Sequence, residues 1–218
     1  MIDNILFDLD GTLADTAPDL ANALNAIRLK QGFEKLPLET ISPTVSLGGN
    51  AMIKLAFDLE EGQSGFDDIR DQFLNHYLEN IAEETKLYAG IEEVLRSIED
   101  NNKIWGIVTN KSSWLTMPLL EALSLDKRAA CIVSGDTLEH RKPHPAPILH
   151  ACELINAEPA STIYIGDAQR DIEAGRRAGT KTLAALYGYI DKDEDTKNWN
   201  ADATVSSAHE INDKLCEF

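Results

Sequence analysis

The chain has 218 residues, with 37 Asp and Glu against 20 Lys and Arg, and a formal charge of −17. Such a chain cannot supply the cationic field that neutralises nucleic-acid phosphates or anionic lipid, and no local basic patch interrupts the acidity. A hydrophobic fraction of 43% with 26% charged residues suits one globular domain, or one plus an insertion, and no run approaches the roughly 18 apolar residues of a membrane span. In chain order, the first apolar run, Ile5-Leu6-Phe7, reads as a buried strand. From about Thr16 to Thr85 no strand signal follows, only helical periodicity such as Leu20, Leu24, Ile27 and later Phe66, Ile69, Phe73. Pro18 and Asp19 fit a helix's first turn, while Gly32, Pro37, Pro43 and Gly48-Gly49 divide the interval into about four helices. Beyond it, Ile91, Val94, Leu95 and Ile98 share one helical face, and Asn101-Asn102 ends the pattern. Further strands are expected at Ile104 to Val108, Cys131-Ile132-Val133, Ile163-Tyr164-Ile165, Thr182 to Leu186 and Thr204-Val205, with helices between most of them. This alternation predicts an α/β fold: a parallel sheet covered on both faces, with a helical insertion after the first strand.

The residues at the predicted strand ends carry the chemistry. Asp8 and Asp10 close the first strand at i and i+2, so both point to the mouth of the sheet, where open α/β sheets place ligands. Two such acids repel unless a cation sits between them or one holds a proton, and a hard divalent ion such as Mg²⁺ is the natural guest. Asp167 ends the Ile163-Tyr164-Ile165-Gly166 run, with Asp171 one turn into the next helix, which makes three strand-end carboxylates from distant segments. Val108-Thr109-Asn110-Lys111 adds a hydroxyl, an amide and a cation, and Arg141-Lys142-Pro143 adds a cation on a stiff loop. Together they read as an Mg²⁺ cage beside a phosphate cradle.

Asp8-Leu9-Asp10-Gly11-Thr12-Leu13, Val108-Thr109-Asn110, Lys142-Pro143 and Gly166-Asp167 with Asp171 resemble, in order and spacing, the four motifs of the haloacid dehalogenase superfamily of phosphatases. The resemblance covers the whole chain. It implies a Rossmann-like core over 1–15 and 86–218 and a helical cap domain over 16–85. It also implies a double displacement in which Asp8 attacks phosphorus while Asp10 acts as acid, then base. Mg²⁺ would be held by the Asp8 carboxylate, the Asp10 backbone carbonyl and Asp167, with Asp171 supporting the metal or its water. Thr109 and Lys142 would bind the phosphoryl oxygens, with Asn110 assisting. Asp10-Gly11-Thr12-Leu13-Ala14-Asp15-Thr16-Ala17-Pro18-Asp19-Leu20 resembles the phosphoglycolate phosphatase branch. Leu87-Tyr88-Ala89-Gly90, Trp105 to Lys111, and Tyr187-Gly188-Tyr189-Ile190 with Asn198-Trp199 are similar to N-acetylmuramic acid 6-phosphate phosphatases of cell-wall recycling, which favours the sugar phosphate over 2-phosphoglycolate. A mutase of the same superfamily and a phospho-accepting signalling domain remain as alternatives.

Other features have plainer readings. Asp15 and Asp19 are expected to cap and charge the first inserted helix, and Lys111 either steers anions or is solvated. His140, His144 and His150 make a poor zinc site because Pro143 and Pro145 break any aligning helix. Asn110-Lys111-Ser112 is a glycosylation sequon without meaning in a cytoplasmic protein, the location expected from an N-terminus that lacks an export signal. Gly48-Gly49 is either a site-facing loop or a simple breaker, and Cys131, Cys152 and Cys216 read as buried small hydrophobes. The acidic runs Asp58 to Asp71 and Asp191 to Asp195 read as solvated surface. Partners are expected to be small phosphate esters.

Overall fold

The structure, a computed structural model, describes residues 2–218. Its strands are β1 (Asn4–Phe7), β2 (Ala14–Asp15), β3 (Lys86–Leu87), β4 (Ile104–Val108), β5 (Ile132–Val133), β6 (Thr162–Gly166), β7 (Lys181–Ala185) and β8 (Ala203–Val205). The α-helices are α1 (Ala17–Lys30), α2 (Leu38–Val45), α3 (Gly49–Phe57), α4 (Phe66–Glu79), α5 (Ile91–Asp100), α6 (Ser113–Ala122), α7 (Ala146–Leu154), α8 (Gln169–Ala178) and α9 (Ile211–Leu215). Among the described residues no helix is long and apolar enough to cross a membrane.

Six strands form one parallel sheet in the order β5-β4-β1-β6-β7-β8. The alternation of side chains sorts its core into two layers. Ile5, Phe7, Trp105, Ile107, Ile163 and Ile165 pack with α5, α6 and α9, while Leu6, Val108 and Tyr164 pack with α7 and α8. Helix α5 has the predicted stripe, with Ile91, Val94, Leu95 and Ile98 all buried. Strand β1 is central: Phe7 is in register with Ile107 on one side and Ile165 on the other. The chain runs outward from β1 through β4 and β5, then crosses to β6, so the sheet changes direction beside β1. A crevice opens at such a point beyond the carboxyl ends of the strands, and Asp8, Thr109 and Asp167 follow the ends of β1, β4 and β6.

Helices α1 to α4 surround an apolar cluster of their own, including Leu24, Ile27, Ile41, Phe66, Phe73 and Tyr77, joined by Leu115 of α6. Pro43 lies inside α2 rather than dividing two helices. The breaks fall at 31–37, 46–48 and 58–65. Entry and exit of the segment meet in an antiparallel pair, Ala14 with Leu87 and Asp15 with Lys86, too short to leave a periodic trace in sequence. Asp19 is not a cap, contrary to expectation: its carboxylate accepts from the amides of Glu84 and Thr85 at 3.0 and 2.9 Å and from the Thr85 hydroxyl at 2.6 Å, clasping the two connections. Asp15 likewise accepts from the Tyr189 hydroxyl at 2.7 Å. Cys131 and Cys152 are buried as expected, whereas Cys216 is exposed.

Candidate active site

Asp8 continues β1 by one ladder bond, its amide donating to the Ile165 carbonyl at 2.8 Å. Asp167 follows β6, and Asp171 sits at the third position of α8, where one carboxylate oxygen accepts from the Ala168 amide at 3.0 Å. That bond satisfies a helix-start donor and aims the other oxygen at the site. Gly166 is required here because a Cβ would meet the Asp171 side chain, and Gly11, at φ +84°, because a Cβ would meet Asp167. Asp8, Asp167 and Asp171 are all buried and place carboxylate oxygens within 4.8 Å of one another.

Lys142 enters this group from the side. Its fully buried ammonium lies 2.9 Å from Asp8 Oδ1 and 2.8 Å from Asp171 Oδ1, and is 3.0 Å from the Val108 carbonyl and 2.6 Å from the Tyr164 hydroxyl. Asn110 fixes the loop that carries it, its side chain exchanging hydrogen bonds with the Lys142 backbone at 2.9 and 3.0 Å. Thus, of the residues expected to form a phosphate cradle, Thr109 and Asn110 line the open cleft, while Lys142 stands behind Asp8. The Asp10 carboxylate lies outside the trio, accepting from the Thr16 hydroxyl at 2.7 Å and pairing with Lys111 Nζ at 2.9 Å. Lys111 is not solvated: its side chain is 7% exposed and lies over the Tyr77 ring at 4.7 Å.

The cleft in front of Asp8 and Asp10 has a volume of about 660 Å³, and its opposite wall comes from the helical segment. Gly48, Gly49 and Asn50 line it, which settles their orientation toward the site. Glu61, Arg70 and Asp71 line it too, so the acidic run 58–71 is not all outer surface. Four further residues, none of them assigned a role from the sequence, contribute. Ser46 donates to Asp167 Oδ2 at 2.9 Å, Thr12 to Asp167 Oδ1 at 3.2 Å, and the Tyr189 amide to Asp167 Oδ2 at 2.9 Å; Arg170 lines the cleft beside Asp171. Tyr189 also receives the Ala17 amide at 2.8 Å, and Trp199 is buried against Ile172 and Ala184, so the 187–202 segment braces Asp167 and the first inserted helix. His140 and His144 stack at 4.2 Å and belong to no acid or cysteine cluster among the described residues.

The sequence profile of the haloacid dehalogenase-like hydrolases matches residues 5–185. The chain is 39% identical over 207 residues to an N-acetylmuramic acid 6-phosphate phosphatase of Pseudomonas putida, covering 95% of this chain and 93% of that one. It belongs to the haloacid dehalogenase-like hydrolase family. A phosphoglycolate phosphatase of Xanthomonas campestris is 38% identical over the same shares. The fold of a predicted phosphoglycolate phosphatase from Haemophilus somnus superposes with a TM-score of 0.88 at 27% identity, covering 98% of both chains. As a member of this family the protein is an enzyme, a phosphatase.

The acidic trio is electrostatically uncomfortable by itself. Burial, opposed by Lys142, pushes the Asp8 carboxyl from an ordinary 3.8 to about 6; burial and the Asp8 and Asp171 charges push Asp167 to about 7. Three carboxylates against the Lys142 ammonium, with the Arg170 guanidinium nearby, form an all-oxygen site still short of positive charge, which suits a hard divalent cation. Raised acids favour folding most when protonated, so their contribution is complete below about pH 4 and is lost as the pH rises through about 6 and 7. In chelator the protein is therefore expected to melt several degrees lower at pH 8 than at pH 5, at ~2–4 °C per kcal/mol for a chain of this size. A divalent cation, by favouring the ionised acids, should remove most of that decline. Scanning fluorimetry in EDTA decides this, and a melting temperature climbing steadily between those two pH values would contradict it.

Proposed function

We propose that the protein is a Mg²⁺-dependent phosphomonoesterase that works through an aspartyl-phosphate and acts on a small phosphate ester. One observation carries this reading: the buried Asp8, Asp167 and Asp171 trio, balanced in part by Lys142, opens beside Asp10 into a cleft walled by the helical segment. Asp8, the Asp10 backbone carbonyl and Asp167 would hold Mg²⁺, with Asp171 in support. Bound there, the ion supplies neutralising charge and polarises a phosphoryl oxygen. Asp8 attacks phosphorus, and the ladder bond from its amide to the Ile165 carbonyl together with the Leu9 amide on its carboxylate keeps it fixed for that approach. Asp10, held by Thr16 and Lys111, delivers a proton to the leaving alkoxide and then takes one from the hydrolytic water. Thr109, and Asn110 through its hold on the Lys142 loop, organise the phosphoryl end, and residues 16–85 serve as the cap that excludes water.

The relatives' names offer two substrates, N-acetylmuramic acid 6-phosphate and phosphoglycolate. A volume of about 660 Å³ lies within the range that holds drug-sized ligands and far exceeds what a two-carbon ester fills, which supports the sugar phosphate. The test is a product assay on both esters with and without EDTA. Free phosphate, abolished by chelation and restored by Mg²⁺, is expected; an isomeric phosphate in place of free phosphate would assign a mutase instead.

A further inference from the structure

Four cations line the cleft: Arg70, Lys111, Arg141 and Arg170. Two are already spent. Arg70 pairs with Asp67 at 2.9 Å and Asp71 at 3.2 Å, and Lys111 pairs with Asp10. Among the described residues Arg141 pairs with no carboxylate, and Arg170 has a buried Nε without a hydrogen-bond partner. A buried guanidinium donor left unmatched is costly, so a site that keeps one is built to receive an acceptor.

Their placement says which acceptors. Arg141 directly precedes Lys142 and Arg170 directly precedes Asp171, and the Lys142 ammonium and Asp171 carboxylate are 2.8 Å apart. The loop and the helix meet again where Arg177 donates to the Pro143 carbonyl at 3.2 Å. The two arginines therefore flank one ion pair on the core wall of the cleft. Arg170 is the deeper, half-buried beside the acidic trio, whereas Arg141 is exposed at the rim. A guanidinium presents a planar fork that matches carboxylate or phosphoryl oxygens two at a time. Among the described residues no carboxylate forms a close ion pair with either fork, although the field of Asp171, Asp8 and Asp167 reaches Arg170, in a chain whose acids outnumber its bases by 17.

Resting on the phosphatase reading above, we propose that the cleft is a two-anion site: Arg170 holds the phosphoryl end, and Arg141 reads a carboxylate on the leaving group. N-acetylmuramic acid 6-phosphate and phosphoglycolate, the esters in the relatives' names, both carry such a carboxylate, and Arg141 is the residue assigned to read it. Matched pairs of esters separate these sources from each other and from a simple alcohol. N-acetylmuramic acid 6-phosphate is compared with N-acetylglucosamine 6-phosphate, which lacks the lactyl carboxylate, and 2-phosphoglycolate with 2-hydroxyethyl phosphate.

The wild-type enzyme should prefer the carboxylated member of at least one pair by about 10- to 100-fold in kcat/KM, the size of a charge-assisted bidentate contact. The pair that shows the preference identifies the acid. Arg141→Gln, at an exposed position, should collapse that ratio toward one, with the loss in KM, whereas Arg170→Gln should weaken both members of the pair and preserve the ratio. Calorimetric binding of the same esters to the Asp8→Asn protein repeats the comparison without turnover. Equal kcat/KM and equal affinity within both pairs would overturn the inference, as would an Arg141→Gln enzyme that keeps the wild-type ratio. A folded wild-type enzyme that releases no phosphate from any ester defeats the phosphatase reading instead, and a carboxylate preference in binding alone would still support the two-anion site.

Discussion

Asp8→Asn is expected to lower phosphate release by on the order of 10³-fold or more while raising the melting temperature of the metal-free protein at pH 8. The two effects have one cause. The change is nearly isosteric and removes the oxygen nucleophile on which a covalent route depends, so the chemical step loses its path. It also removes a carboxylate whose ionisation the fold opposes, shown by the rise of its pKa to about 6. Asn can still accept from the Leu9 amide, which lies 2.8 Å from Asp8 Oδ1, so local geometry survives. Steady-state phosphate release and paired melts in EDTA and Mg²⁺ measure both arms. Release within about tenfold of the wild type would remove Asp8 from the nucleophile's role. A residue that was merely structural would lower both activity and stability.

Lys142→Met is expected to have the opposite sign on stability. Among the described residues the Lys142 ammonium is the only cation paired with two members of the trio, at 2.9 Å from Asp8 and 2.8 Å from Asp171, and is fully buried. Removing one partner from a buried charge group leaves the others uncompensated, which typically costs about 3–5 kcal/mol. For a chain of this length that corresponds to a fall of roughly 6–20 °C in melting temperature. Activity should fall at least about 100-fold, because Asp8 would lose the charge that keeps it ionised for attack. Mg²⁺ should raise the variant's melting temperature by more than it raises that of the wild type, since the site it enters is more negative. A variant melting within a degree or so of the wild type would show that the Tyr164 and Val108 contacts, not the charge, define this lysine's place.

Much of the site is legible without coordinates because it is carried by strand ends. An apolar run such as Ile5-Leu6-Phe7 has one plausible fate, a buried strand, and whatever follows it is delivered to the mouth of the sheet. Asp8, Thr109 and Asp167 are placed by that rule alone, and the family resemblance orders them. The helical segment is equally legible in kind, since its 3.6-residue periodicity extends over 17–79 with no strand signal between.

The −17 charge and the strand-end acids could be read along the chain, but which charges cancel could not. Lys111, plausibly a solvated lysine in sequence, is buried against Asp10 and Tyr77. Asp19 sits in the first turn of α1 as its spacing predicted, but it also ties Glu84 and Thr85 to that turn across 65 residues of chain. Ser46 and Tyr189 reach Asp167 from 121 and 22 residues away, and no local pattern pairs either of them with that acid. The physical reason is that periodicity and propensity are local, whereas a buried polar group takes whatever partner the packing brings within about 3 Å. Composition and spacing determined that this is an α/β chain with acids gathered at one end of its sheet. Tertiary structure alone decided that Lys142 stands behind those acids, and that Arg141 and Arg170 face the cleft without a close carboxylate partner among the described residues.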